Sequence, residues 1–122
     1  MTTPIRMRAD GNPERGFVPS TLVAAADFTT ADTTEINSGF YQNEDESVIA
    51  GVWECAPCKE VFDAYPVDEM MTVISGAVTL TSPDGTQQTF SKGDTFFMPK
   101  GTACTWEITE TLRKFYMISM YK

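Results

Sequence analysis

Residues 63–76 (DAYPVDEMMTVISG) carry a phenol, Tyr65, between the carboxylates Asp63 and Glu69, and end on Gly76. Residues 93–108 (GDTFFMPKGTACTWEI) add a thiol, Cys104, and an indole, Trp106, behind a Pro99-x-Gly101 turn. Carboxylates beside a phenol can exchange protons or hold a cation, and a thiol can attack an electrophile if a base takes its proton. The chain contains no histidine, so the commonest such base and metal ligand is missing. A metal site of Asp63, Glu69 and Cys104, with Tyr65 as a weak fourth donor, would mix hard and soft ligands in an unusual set, and no metal cofactor is expected. In an apolar pocket the Cys104 thiol would be raised in pKa and slow to react, which favours a cavity-lining role. Aromatics such as Tyr65 and Trp106 next to carboxylates suit a small polar or cationic ligand. Lys114 either pairs with Glu69 or stands on the surface, the commoner place for a lysine.

Cys55-Ala56-Pro57-Cys58 has the spacing of a zinc half-site or a thiol redox pair. A redox pair of this kind normally opens a helix after a strand, whereas this one separates two strand-like runs. There is no second such pair to complete a structural zinc site. The two thiols read as a core cysteine at a strand end and a cysteine in a turn.

The runs that must position these residues are short and β-patterned. Residues 35–42 (EINSGFYQ) and 48–56 (VIAGVWECA) are rich in branched and aromatic side chains, and 60–65 (EVFDAY) resume after the Ala56–Lys59 break. Residues 70–75 and 77–81 flank Gly76. Ser82-Pro83-Asp84-Gly85 has proline and glycine where a type I turn wants them, with 86–90 as the returning hairpin partner. Residues 95–98, 103–108 and 115–121 follow, separated by further turns. Many short strands punctuated this evenly predict an all-β sandwich or barrel. Alternation along a strand puts Asp63 with Tyr65, Glu69 with Met71 and Val73, and Cys104 with Trp106 and Ile108, each set on one face directed into a lumen. Residues 1–30 contain Pro4, Pro13 and Pro19 and little periodicity, so they form an irregular arm ahead of a domain at 31–122. Residues 20–28 (STLVAAADF) fit either a short capped helix or an extended segment on the barrel.

At 122 residues the chain is one domain, large enough for a single core. Its 17 acidic and 9 basic residues give a net charge of −8, which excludes nucleic acid and anionic membrane as partners, since both need clustered Lys and Arg. The acidic run Glu44-Asp45-Glu46 reads as a solvated turn. No signal-peptide pattern stands at the N-terminus, and the longest apolar run, residues 22–26, is far too short to span a bilayer. A cytoplasmic location with reduced cysteines is therefore expected.

The two stretches together resemble the paired motifs of the cupin superfamily. Glu69 and Gly76 are separated by MMTVIS and match the second half of the first motif, while Gly93, Pro99 and Gly101 match the second motif without a gap. Asp63, Tyr65 and Cys104 stand where that superfamily places its histidines. The resemblance implies a double-stranded β-helix, a jelly-roll barrel with the motifs at its mouth. Residues 51–69 (GVWECAPCKEVFDAYPVDE), the PKG turn, TWEI and RKFY are similar to the small cupins related to (S)-ureidoglycine aminohydrolase. Cys58 stands where that group usually has glycine. Within such a barrel Asp63, Tyr65, Glu69, Cys104, Trp106 and Lys114 are expected to form a lumen site for a small polar molecule, without metal because the histidines are missing. Were the protein an enzyme acting on a ureide, Glu69, Tyr65 and Cys104 would carry the chemistry. A third reading is an interaction protein whose lumen is plugged by Met71, Phe97 and Trp106. Small jelly rolls expose sheet edges, and an arm with an apolar run suits covering a neighbour's edge, so a homodimer is expected.

Overall fold

The branched and aromatic runs form eight strands in the computed structural model, which describes residues 2–120. They are β1 (Val18–Pro19), β2 (Glu35–Gln42), β3 (Val48–Cys55), β4 (Cys58–Phe62), β5 (Asp68–Thr81), β6 (Gln87–Ser91), β7 (Thr95–Met98) and β8 (Cys104–Ser119). The one helical turn among the described residues is 3-10, Ala25–Asp27, flanked by Ala24 and Phe28 in extended conformation, so residues 20–28 contain no capped α-helix. Tyr121, placed at the end of the last strand by the sequence pattern, lies outside the described residues.

All the pairings are antiparallel, and β5 and β8 run together from Asp68↔Ser119 to Thr81↔Thr105. Their outer edges divide the barrel into two sheets. The N-terminal half of β5 pairs with β7 and its C-terminal half with β6. The N-terminal half of β8 pairs with β4 and its C-terminal half with β3, which continues into β2 and β1. The result is a jelly roll in which two long strands pass from one sheet to the other. The sequence suggested four short strands here because Gly76 interrupts the pattern. Glycine instead marks a bend, with register shifts between Val73 and Val78.

That bend resets the alternation. Glu69, Met71 and Val73 are buried before it, and Val78 after it. Along β8 every even residue from Cys104 to Ile108 and from Leu112 to Tyr116 is buried. The in-facing rows of Glu69 and of Cys104 thus follow from strand parity. The outer face is treated differently in two places. Residues 8–17 cover part of it: Asn12 accepts from Glu14 N and reaches Gly39 O through Nδ2, Ser38 Oγ donates to Gly16 O, and the Arg113 guanidinium bonds Ala9 O while lying 4.8 Å over the Phe17 ring. The arm therefore packs on its own barrel. Elsewhere Phe97, Met70 and Met117, direct register partners on β7, β5 and β8, stay exposed in one row. Phe97 is 55% exposed, so it does not plug the lumen: on β7 its neighbours Phe96 and Met98 hold the inward places.

Glu35 ties the start of β2 to the arm. Its carboxylate accepts from Ser20 Oγ, from Leu22 N (3.1 Å), from Val23 N (2.9 Å) and from Trp53 Nε1 (3.0 Å). Burial by itself would raise this carboxyl, but these hydrogen bonds outweigh burial and hold it below the usual range.

Candidate functional site

Between the two sheets lies a cavity of about 490 Å³, within the range of small-molecule sites. Leu22, Val67, Ile118 and Met120 contribute apolar wall, and Leu22 is 79% exposed. The polar and aromatic part comprises Asn37, Trp53, Glu60, Tyr65, Glu69, Trp106, Lys114 and Tyr116. Four of these, Tyr65, Glu69, Trp106 and Lys114, come from the expected set.

Tyr65 sits between β4 and β5, where the chain is not a strand. Its N–H donates to Thr102 O and its carbonyl accepts from Gly101 N, both at 2.8 Å, so the Pro99-x-Gly101 turn fixes it by two backbone bonds. Its ring meets Phe62 edge-on at 5.0 Å, and its hydroxyl donates to Glu69 Oε1 at 2.6 Å. The second Glu69 oxygen accepts from Lys114 Nζ at 2.8 Å, with both side chains almost wholly buried. Lys114 Nζ also lies 3.0 Å from Met71 Sδ, and 4.7 and 4.9 Å from the ring centres of Trp53 and Trp106. Two indole faces and a carboxylate replace the water that a buried ammonium has lost. Lys114 is therefore the partner of Glu69 and not a surface lysine. It faces inward because β8 runs unbroken through position 114, where the sequence suggested two separate strands.

Asp63 is a correction. It is exposed in a bend and contributes nothing to the cavity wall. The parity argument assumed extended chain from 63 to 65, but β4 ends at Phe62 and the alternation stops there. Cys104 is a second correction. It is buried in the core at the first position of β8, while Phe62, its register partner, takes the place in the wall. Burial pushes its thiol up, as a core cysteine requires. Cys55 and Cys58 are both free and fully buried, at the end of β3 and the start of β4. The contact between them, first among the causes, raises Cys55 and lowers Cys58, while the Cys55 thiol also donates to Ala56 O at 3.2 Å. Cys58 needs no glycine-like backbone: Glu46 is the one non-glycine with positive φ among the described residues.

Four polar wall residues, Ser20, Asn37, Tyr116 and Glu60, were not singled out from the sequence. Tyr116 donates to Asn37 Oδ1 at 2.7 Å, a contact that Gly51 makes possible, since a Cβ there would stand 2.6 Å from the Tyr116 oxygen and 2.5 Å from Ser38 O. Glu60 is the most consequential. On β4 the inward places are Cys58, Glu60 and Phe62, and Glu60 alone of these is charged. Burial, then the nearby carboxylates of Asp27 and Glu35, push its carboxyl up to about 7 against the opposing Lys114 ammonium. The alternation was visible in the sequence, but a glutamate within it reads as solvent-facing.

The sign of the Glu60 effect on stability follows. Its folded pKa, about 7, lies above the ordinary 4.5, so its favourable contribution is complete below the ordinary value and lost as pH rises through the folded one. Glu60→Gln is expected to melt like the parent near about pH 4 and to be more stable by roughly 1–2 kcal/mol near about pH 8.5, after discounting for solvent access. Thermal melts at both pH values check this, and a difference independent of pH would count against it.

A metal fits this donor set poorly. Cupin metal sites rest on imidazoles plus a carboxylate, and here the carboxylate of Glu69 has one oxygen bonded to Tyr65 and the other to an internal cation, Lys114. Among the described residues no three Cys, Asp or Glu side chains come together as a metal-holding group. Tyr65 is pushed far above its usual pKa by burial, then by the Glu69 charge and its hydrogen bond, so it remains a donor.

Among solved structures, a protein of unknown function from Pseudomonas syringae pv. tomato aligns with a TM-score of 0.79 at 23% identity over 93% of this chain. The chain spans 46% of that protein's length. The ethanolamine utilization protein Q of Salmonella typhimurium aligns at 0.60 with 19% identity, over 73% of this chain and 72% of that one. The Clostridium difficile EutQ protein aligns at 0.59 with 20% identity, over 82% and 81%. These likenesses show the shared barrel. No curated protein matches the chain. No helix among the described residues is long and apolar enough to cross a membrane. The EutQ-like cupin domain matches residues 42–116, from the end of β2 to Tyr116 and including Tyr65, Glu69 and Lys114, and the chain belongs to that family.

Proposed function

We propose that the protein binds a small polar molecule in its lumen without a histidine-held metal. The observation that carries this reading is the open cavity of about 490 Å³, in which an apolar mouth leads to polar groups brought together from β2, β4, β5 and β8. The plugged-lumen reading loses its support because Phe97 points outward. An enzyme working through Glu69, Tyr65 and Cys104 is disfavoured for a similar reason. Glu69 is bonded at both oxygens, Tyr65 holds its proton, and Cys104 is not in the wall. The wording of residues 51–69 supports a likeness to cupins related to (S)-ureidoglycine aminohydrolase, but that activity depends on metal, and no hydrolytic step is carried over. A homodimer belongs to the same proposal, supported by the exposed row of Phe97, Met70 and Met117, and sedimentation velocity reports it.

Ligand-observed NMR with a fragment library tests the lumen reading. Hits are expected to compete with one another and to be lost in Val67→Trp, which fills the mouth from a partly exposed position and leaves the melting temperature nearly unchanged. Hits that survive this substitution would place binding elsewhere and overturn the proposal. Native mass spectrometry with elemental analysis is expected to find no stoichiometric transition metal, and one tightly held metal per chain would overturn the metal-free part.

A further inference from the structure

Resting on the lumen reading, we infer that the cavity selects a small organic cation, a protonated amine with an apolar body, and that Glu60 is the residue that reads its charge. The other charged groups of the wall are already committed. Glu69 accepts from Tyr65 and from Lys114, and Lys114 is enclosed by that carboxylate, Met71 and the faces of Trp53 and Trp106. The Asn37 side-chain carbonyl accepts from Tyr116. Glu60 lines the same cavity, and its carboxylate makes no hydrogen bond or ion pair among the described residues. It is an acceptor-only group when ionised, so a ligand that answers it must donate.

The charges facing Glu60 from the packed elements favour the same sign. Asp27, in the 3-10 turn, and Glu35, on β2, act on it as like charges, and Lys114, on β8, is the opposing cation. Because Lys114 is paired with Glu69, the field left over in the cavity is negative. The Tyr65 phenol and the Cys55 thiol, both pushed far up, stay neutral, and Cys58 is in contact with Cys55. An anion entering this cavity meets repulsion. A cation relieves a carboxylate that burial has left without a partner. The aromatic wall adds attraction for a cation through its ring faces. The wall thus keeps a carboxylate in reserve, as a binding site does and a packed core does not.

Linkage gives the pH dependence. An ammonium binds best to ionised Glu60, so its affinity should rise as pH passes through about 7, the value to which burial and the neighbouring carboxylates bring that group.

Isothermal titration calorimetry with phenethylammonium, 2-phenylethanol and phenylacetate, probes of similar shape and different charge, tests the inference. At about pH 8.5 phenethylammonium is expected to bind about tenfold or more tighter than 2-phenylethanol, and at about pH 5.5 that advantage should shrink to about threefold or less. Glu60→Gln should remove the advantage at both pH values and leave 2-phenylethanol binding unchanged. Equal binding of the cation and the alcohol by the parent protein overturns the inference while the lumen reading stands, and so does an advantage that survives Glu60→Gln. The pH series on the parent protein reports independently of the variant. If none of the three probes binds the parent protein, the inference and the lumen reading fall together.

Discussion

Glu69→Gln and Lys114→Met should each cost about 3–5 kcal/mol of stability, while the double variant costs far less than the sum of the two. The reason is the burial of the pair. Lys114 Nζ and Glu69 Oε2 are 2.8 Å apart with both side chains almost excluded from solvent. Removing Glu69's charge leaves an unpaired ammonium between two indoles, beside a neutral amide whose single acceptor oxygen must serve both Lys114 and Tyr65. Removing Lys114 leaves a buried carboxylate held by the Tyr65 hydroxyl alone. Removing both leaves a methionine and an amide that still accepts from Tyr65, with no uncompensated charge, and such exchanges are often neutral or stabilising. Chemical denaturation of the four proteins closes the cycle. Small single losses with no coupling would show that the pair is solvated and free to act. The expected strong coupling assigns Glu69 a structural part, fixing Tyr65 and the inner wall, and leaves Glu60 as the carboxylate a ligand can use.

This division could not be read from residue types. Gly76, Gly93, Pro99 and Gly101 are legible because turns need such residues, and Glu69 is legible through its spacing to Gly76, which resembles the first cupin motif. The inward rows of Met71 and Val73, and of Trp106 and Ile108, were visible because alternation needs only that the strand continue. It failed where the strand did not continue. Asp63 was assigned inward beside Tyr65, yet the strand stops one residue before it. Tyr65 reaches the cavity through backbone bonds to Thr102 and Gly101, residues 36 or more positions away that no local pattern relates to it. Lys114 and Glu60 are both inward by simple parity, but charge alone argues for solvent. Only the facing Glu69 explains the first. No described residue pairs with the Glu60 carboxylate, and it is there that the functional reading begins.

Gly76→Ala should be the most damaging small substitution on the chain, with an expected loss of roughly 3–5 kcal/mol or failure to fold. Two costs coincide. Gly76 has φ +81, a region in which an L side chain costs about 1–2 kcal/mol. A Cβ there would also stand 1.9 Å from Thr111 O and 2.7 Å from Thr111 C. Both are backbone atoms of β8, so no rotamer change relieves the contact, and the two strands would have to separate where both pass from one sheet to the other. The same bend resets which residues face inward, from Glu69, Met71 and Val73 before it to Val78 after it. Displacement at Gly76 would therefore be transmitted along β5 to Glu69 and along β8 to Lys114, loosening the ion pair together with the fold. Gly85 has a similar φ, +89, but a Cβ there meets nothing within 4 Å, so Gly85→Ala isolates the conformational cost alone and should lose only about 1–2 kcal/mol. Denaturation of the two variants side by side separates strain from collision. Equal losses would mean that the approach of β8 to Gly76 is not what the position is built around.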